Sequence, residues 1–255
     1  MRKYPAGRAI AALMIREVAT SYGRTPGGYL WAVIEPLAAV ALLSAVFALA
    51  FDAPPLGQSF PLFYASGYLP FAFYSDLAQK IGVSLRYSRP LMAYPAVTWL
   101  DALLARFLLN TLTHLLVVGI VIATMLALAG QTVADPLGLL AALSTAAFLG
   151  LGLGTVNAYL FERWPIWERL WAILNRPTFL LSGVLFLPDA IPRPFQDWLW
   201  LNPLTHVLTG MRAGLYDGYA PEGWNPAYPI AFASILLLFG LLLLRRDARE
   251  LMWRN

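Results

Sequence analysis

The sequence predicts an all-α integral membrane protein with six transmembrane helices, an N-terminal interfacial amphipathic helix, and a re-entrant helical hairpin between spans five and six. Three observations lead there. The 255-residue chain is 59% hydrophobic and only 13% charged, with a mean hydropathy of +0.62, whereas soluble domains carry about 25% charged residues. Long stretches lack Asp, Glu, Lys and Arg, and about 20 mostly apolar residues suffice to cross roughly 30 Å of hydrocarbon. The basic residues, finally, fall almost wholly on alternate connections.

At the start, "MRK" and a short apolar run over 9–15 resemble a signal peptide, but Arg16-Glu17 follow at once, so the segment reads as an uncleaved helix lying in the membrane interface. Uncharged stretches then cover 36–51, 53–75, 107–134, 136–161 and 223–244, and 170–188 is interrupted only by Arg176. These are the six spans. "FDAPPLGQSF" is a tight loop whose prolines stop the first helix. The second span is crowded with aromatics and closes on Asp76 and Lys80, an i,i+4 pair in the favourable order. The connection "GVSLRYSRPLMAYPAVTW" is long, basic and still partly apolar, which predicts that it packs against something. Glycines 150, 152 and 154 of the fourth span predict close helix packing, and "ERWPIWERL" is a short connector of mixed charge framed by tryptophans. In 188–224, "NPLTHVLTGMRAGLYDG" reads as a helix with Asn202 as N-cap, Pro203 at N1 and Gly218 near its end. It is too apolar for a solvated loop, and backbone that enters a bilayer part-way must be buried by protein or line a cavity. The chain reads as one domain, 1–255.

Positive loops resist translocation. Sixteen of the eighteen Lys and Arg residues fall in the N-terminal lead, in or beside the connections after spans two and four (Arg176, within the fifth stretch, counted there), and in the tail; only Arg193 and Arg212 fall on the other side. Both termini are therefore expected in the cytoplasm. The sequence pI of about 9.4 reflects this topology and not nucleic-acid binding, since no soluble domain carries a basic patch.

Several chemistries are excluded or disfavoured. There is no cysteine, hence no disulfide or thiolate site. A P-loop needs a lysine after glycine, and the two lysines, Lys3 and Lys80, follow Arg2 and Gln79. The two histidines, His114 and His206, lack metal-ligand spacing, so no metal is expected; His114 reads as a packing or cavity hydrogen-bond group. Isolated polar residues argue against a membrane-embedded glycosyl- or acyltransferase, which needs a convergent catalytic cluster. Phe60, Phe63, Tyr64, Phe71 and Tyr74 recur at helical spacing and share a face. Aromatic rings hold the C–H faces of sugars without fixing them, which makes these residues, with Trp198, Trp200 and His206 of the hairpin, candidates for a wall along a glycan path. Interhelical packing is the competing explanation.

The stretch "IREVATSYGRTPGGYLWAVIEP" resembles the N-terminal signature of the membrane subunit of polysaccharide-exporting ABC transporters. "LMAYPAVTWLDALLARF" and "NRPTFLLSGVLFLPDAIPRPFQDWLWLNPLTHVLTGMRAGLYDGY" continue the likeness in the same order, so it covers nearly the whole chain. The resemblance implies a bacterial inner-membrane permease without its own ATPase activity. It also implies a homodimer, two copies of a cytoplasmic ABC ATPase that bind ATP and Mg, a lipid-anchored capsular polysaccharide as substrate, and periplasmic and outer-membrane export components. O-antigen and teichoic-acid exporters are close variants. Within that frame, 1–31 is the cytoplasmic interfacial lead, 82–99 a coupling loop and 188–224 a periplasmic hairpin. Arg86, Arg89 and Tyr94, with Glu162, Arg163 and Glu168, are then expected to meet the ATPase. Arg16, Glu17, Arg24, Trp31 and Glu35 belong to the interfacial helix and the entry to span one, with Pro36 in the first turn of that span and Glu35 at headgroup depth near its N-terminus.

Overall fold

A computed structural model of the chain describes residues 6–21, 27–92, 94 and 97–253. The described residues form α1 (Ala6–Ser21), α2 (Gly28–Ala48), α3 (Phe60–Gly82), α4 (Ser84–Met92), α5 (Trp99–Ala129), α6 (Pro136–Arg163), α7 (Ile166–Leu181), a 3-10 turn at Pro188–Ala190, α8 (Phe195–Trp200), α9 (Pro203–Leu215) and α10 (Ala227–Trp253). Four of these contain stretches long and apolar enough to cross a membrane: Leu30–Ala48, Trp99–Ala129, Pro136–Arg163 and Ala227–Asp247.

Local chemistry sets most boundaries. Ser59, Asp135 and Asn202 each accept a hydrogen bond from a backbone N–H of the helix that follows, and each of those helices has proline in its first two positions. Thr98 and Asp101 form a reciprocal capping box that starts α5, satisfying two otherwise orphaned N–H groups. At the far end of α5, Gly130 closes the helix in the left-handed region at φ 63°. With 31 residues, α5 is about 46 Å long, so it outreaches the hydrocarbon core.

One boundary departs from expectation. Pro36 is not in the first turn of α2; the helix begins at Gly28, after Gly27 at φ 76°, and runs through Pro36. The left-handed glycine reverses the chain earlier than the proline does. The proline then sits where it removes one N–H from an otherwise continuous ladder.

The helix α3 is the axis of the fold. It is buried over most of its circumference, with α6 packed on one side, α5 and α2 on others, and α9 near its first turns. The α6 glycines explain the close approach, which is how membrane helices gain packing energy when lipid offers no hydrophobic drive. A Cβ at Gly154 would sit 2.8 Å from Ile81 of α3, and one at Gly152 would sit 2.6 Å from the Ala233 carbonyl of α10. What α3 leaves partly open is a polar stripe of Tyr68, Ser75, Asp76, Gln79 and Lys80. Outward faces elsewhere are apolar, as at Leu42 and Val46 of α2 and Ile173 and Leu174 of α7.

Candidate functional site

The coupling candidates converge. A cleft of about 870 Å3 opens between α4, the end of α6 and the start of α7, lined by Arg86, Arg89, Glu162, Arg163, Glu168 and Arg169 among others. α4 turns its buried side, Ser84, Leu85 and Ser88, towards the bundle and so presents its arginines to α6 and α7. Arg86 Nη1 donates to Glu168 Oε2 at 2.8 Å, and its Nη2 donates to the Phe161 carbonyl at 3.3 Å. The bond to Glu168 holds the guanidinium pKa above its ordinary value. Arg89 pairs with Glu162, whose carboxylate is otherwise buried. Arg163 reaches the other way, to Glu250 of α10 at 2.9 Å. Arg169 lines the cleft without an ion-pair or hydrogen-bond partner among the described residues. Tyr94 is exposed beyond the end of α4. The arrangement is a cationic rim on a notch walled by two helix ends, a shape that fits an acidic or polar protrusion.

A second junction ties α1 to this region. Glu17 Oε1 and Arg106 Nη1 are 2.7 Å apart and both side chains are buried. Burial pushes the Glu17 pKa up against the opposing pull of Arg106, as expected for a carboxylate taken out of water. The Arg106 guanidinium lies 4.3 Å over the Tyr87 ring, Arg16 lies over the same ring at 5.5 Å, and the Tyr87 hydroxyl is 2.6 Å from Thr20 Oγ1. One tyrosine of α4 thereby touches α1 and α5 together. Arg24 lies outside the described residues.

The aromatic candidates are dispersed. Phe63, Tyr64, Phe71 and Tyr74 are buried inside the single chain, whereas Phe60 is half-buried. Phe63 is the platform for Arg212 of α9, whose guanidinium lies 4.5 Å above the ring. Arg212 is fully buried and donates to the Val184 and Phe186 carbonyls, each at 3.1 Å, so it pins the turn after α7. His206 is also buried; its Nε2–H donates to the Trp200 carbonyl, and its Nδ1 accepts from the Asn225 N–H. Both ring nitrogens are thus committed to the backbone. Trp200 packs on His206, while Trp198 is 74% exposed. The structure therefore does not bring the eight together on one surface.

The sequence profile of the family described as ABC-2 type transporter matches residues 8–216. The chain belongs to that family. It is similar to the polysialic acid transport protein KpsM of Escherichia coli, 29% identical over 238 residues that cover 92% of each chain. It is also similar to the capsule polysaccharide export inner-membrane protein CtrC of Neisseria meningitidis serogroup B, at 27% over 95% of this chain and 92% of the relative. BexB of Haemophilus influenzae, a protein of the same description, is 24% identical over 95% and 92%.

In this ABC-2 chain, sequence reasoning missed three contacts between elements. Arg106 and Tyr87 carry the α1 junction, and no local signal joins them to Glu17. Asp76, Lys80 and His114 form a hydrogen-bonded set: Asp76 Oδ2 lies 2.8 Å from Lys80 Nζ and 2.7 Å from His114 Nε2. The i,i+4 spacing discloses the first contact, but the second spans two helices. Asn175 of α7 bonds Ser75 of α3, again across elements.

Proposed function

We propose that the chain is the membrane-spanning subunit of an ATP-driven exporter that carries a capsular polysaccharide across the bacterial inner membrane. Family membership, together with relatives described as capsule polysaccharide export inner-membrane proteins, gives the reaction class. The observation that carries the reading on this chain is the charged cleft of Arg86, Arg89, Glu162 and Glu168, which suits a partner ATPase docking against α4. Because ATP and Mg belong to that partner, this chain supplies the path and the lever. Two copies with two ATPases form the working unit, their apolar α2 and α7 faces meeting lipid or each other.

In this reading α3 and α7 complete a set of six spans with α2, α5, α6 and α10. The lower hydropathy of α3 follows from position, because a helix enclosed by other helices need not be apolar to lipid. The helix α1 then lies along the cytoplasmic interface, α8 and α9 form the outer hairpin, and both termini are cytoplasmic. The polymer runs beside the open stripe of α3. There Tyr68 and Phe179 of α7 stand edge to face at 6.5 Å, with Phe71 behind them at 5.2 Å from Phe179.

Removing the chain from a capsulated host should abolish surface polysaccharide, and returning it should restore the coat. Arg89→Glu should assemble in the membrane yet lose most glycan-stimulated ATP hydrolysis in the complex. If Arg89→Glu combined with Glu162→Arg restores full stimulation, the two residues serve only each other and the docking assignment fails.

A further inference from the structure

We propose that the cavity between α2, α3 and α5 binds a single sugar ring of the cargo before the polymer enters the path, an inference that rests on the export reading. The cavity measures about 370 Å3 and is lined by Trp31, Glu35, Tyr68, Asp76, Lys80 and His114, with Gly28, Ala32 and Ala72 leaving room. It stands at the small end of ligand cavities, roughly 300–1,000 Å3.

Ionisable groups inside membrane helices are costly and mark function unless they satisfy one another. Here they do so only in part. A single oxygen of Asp76, Oδ2, takes both Lys80 and His114, and Phe73 stacks on the His114 ring at 5.0 Å and 16°, so that arrangement is rigid. Asp76 Oδ1 and both oxygens of Glu35 have no hydrogen-bond or ion-pair partner among the described residues. One acceptor held in place, Asp76 Oδ1, and a second on the exposed Glu35 thus border one small chamber alongside Trp31 and Tyr68. Carboxylates accept hydrogen bonds from vicinal hydroxyls, and an aromatic ring covers the C–H face of a pyranose.

The chain has no native cysteine, so Thr113→Cys places a unique thiol on the cavity wall, and Ala12→Cys on the exposed side of α1 serves as reference. The probe is a small maleimide applied to opened inner membranes containing the complete exporter. Membranes come from cells that make the glycan and from cells blocked in its synthesis. The expected result is labelling of Thr113→Cys several-fold slower when glycan is present, an unchanged rate at Ala12→Cys, and loss of the protection in a Glu35→Gln background. Equal rates with and without glycan overturn the inference, as does protection that persists without glycan and vanishes on delipidation, which marks a lipid headgroup. Ala72→Cys repeats the measurement from α3 if Thr113→Cys fails to assemble. Surface glycan that depends on the chain while the thiols remain unprotected defeats only the cavity assignment; surface glycan that survives loss of the chain defeats the export reading itself.

Discussion

Glu17 and Arg106 show what a charge does when it is withdrawn from water inside a helical bundle. Each would be expensive alone, and together they are held by a 2.7 Å contact with Tyr87 over the guanidinium. Replacing one partner strands the other, so Glu17→Gln or Arg106→Met should each lower unfolding stability by about 3–5 kcal/mol. Glu17→Met with Arg106→Met should recover most of that loss. Thermal unfolding in detergent measures all three, and a double variant as unstable as the sum of the singles would show that the residues do not act as a pair. Arg106 also shows how sequence reading falls short at this scale. A lone arginine near a helix end suggests snorkelling to the headgroups, and its actual partner is on an element far away in the chain. Asp101 also sits near a helix end and was open to the same explanation, although Thr98-x-x-Asp101 is a local capping pattern that discloses its role.

At the scale of elements, α6 has small residues where it meets α3 and α10. Gly154→Leu drives a side chain into Ile81 and should sharply reduce folded yield, whereas Gly119→Leu, whose Cβ would meet nothing within 4 Å, should leave it unchanged. Size-exclusion profiles of the two variants, at matched expression, test this; equal yields would mean that α6 does not depend on close approach. The glycine run, the Asn202 cap and the α6 start at Asp135 were readable because each rule operates within a few residues. The turn at Gly27-Gly28 was readable from the paired glycines, and Pro36 misled only because the helix starts at that turn and runs on through the proline. The aromatic face of α3 misled differently: period 3.6 establishes that Phe63, Tyr64, Phe71 and Tyr74 lie together, yet it does not say whether that face turns to a lumen or to a neighbour. Here it turns to α9, α7 and the rest of the bundle, and the face left open carries Tyr68, Ser75 and Asp76.

For the molecule as a whole, composition made the membrane class plain and the arginines lead to an expected orientation, while the meeting of distant helices needed the three-dimensional arrangement. The orientation predicts that Gln58→Cys reacts with an impermeant maleimide in intact cells and that Tyr94→Cys reacts only after the inner membrane is opened; the opposite pattern would invert the topology. The buried α1 junction also bears on how the protein is made. Glu17 emerges from the ribosome long before Arg106, and at about 5–20 residues per second several seconds separate the two. Seating of α1 is therefore expected to await α5, which brings its partner. A nascent chain arrested before Arg106 should leave α1 open to protease, and one arrested after α5 has cleared the ribosome should protect it; protection in both would mean that lipid alone holds α1 in place.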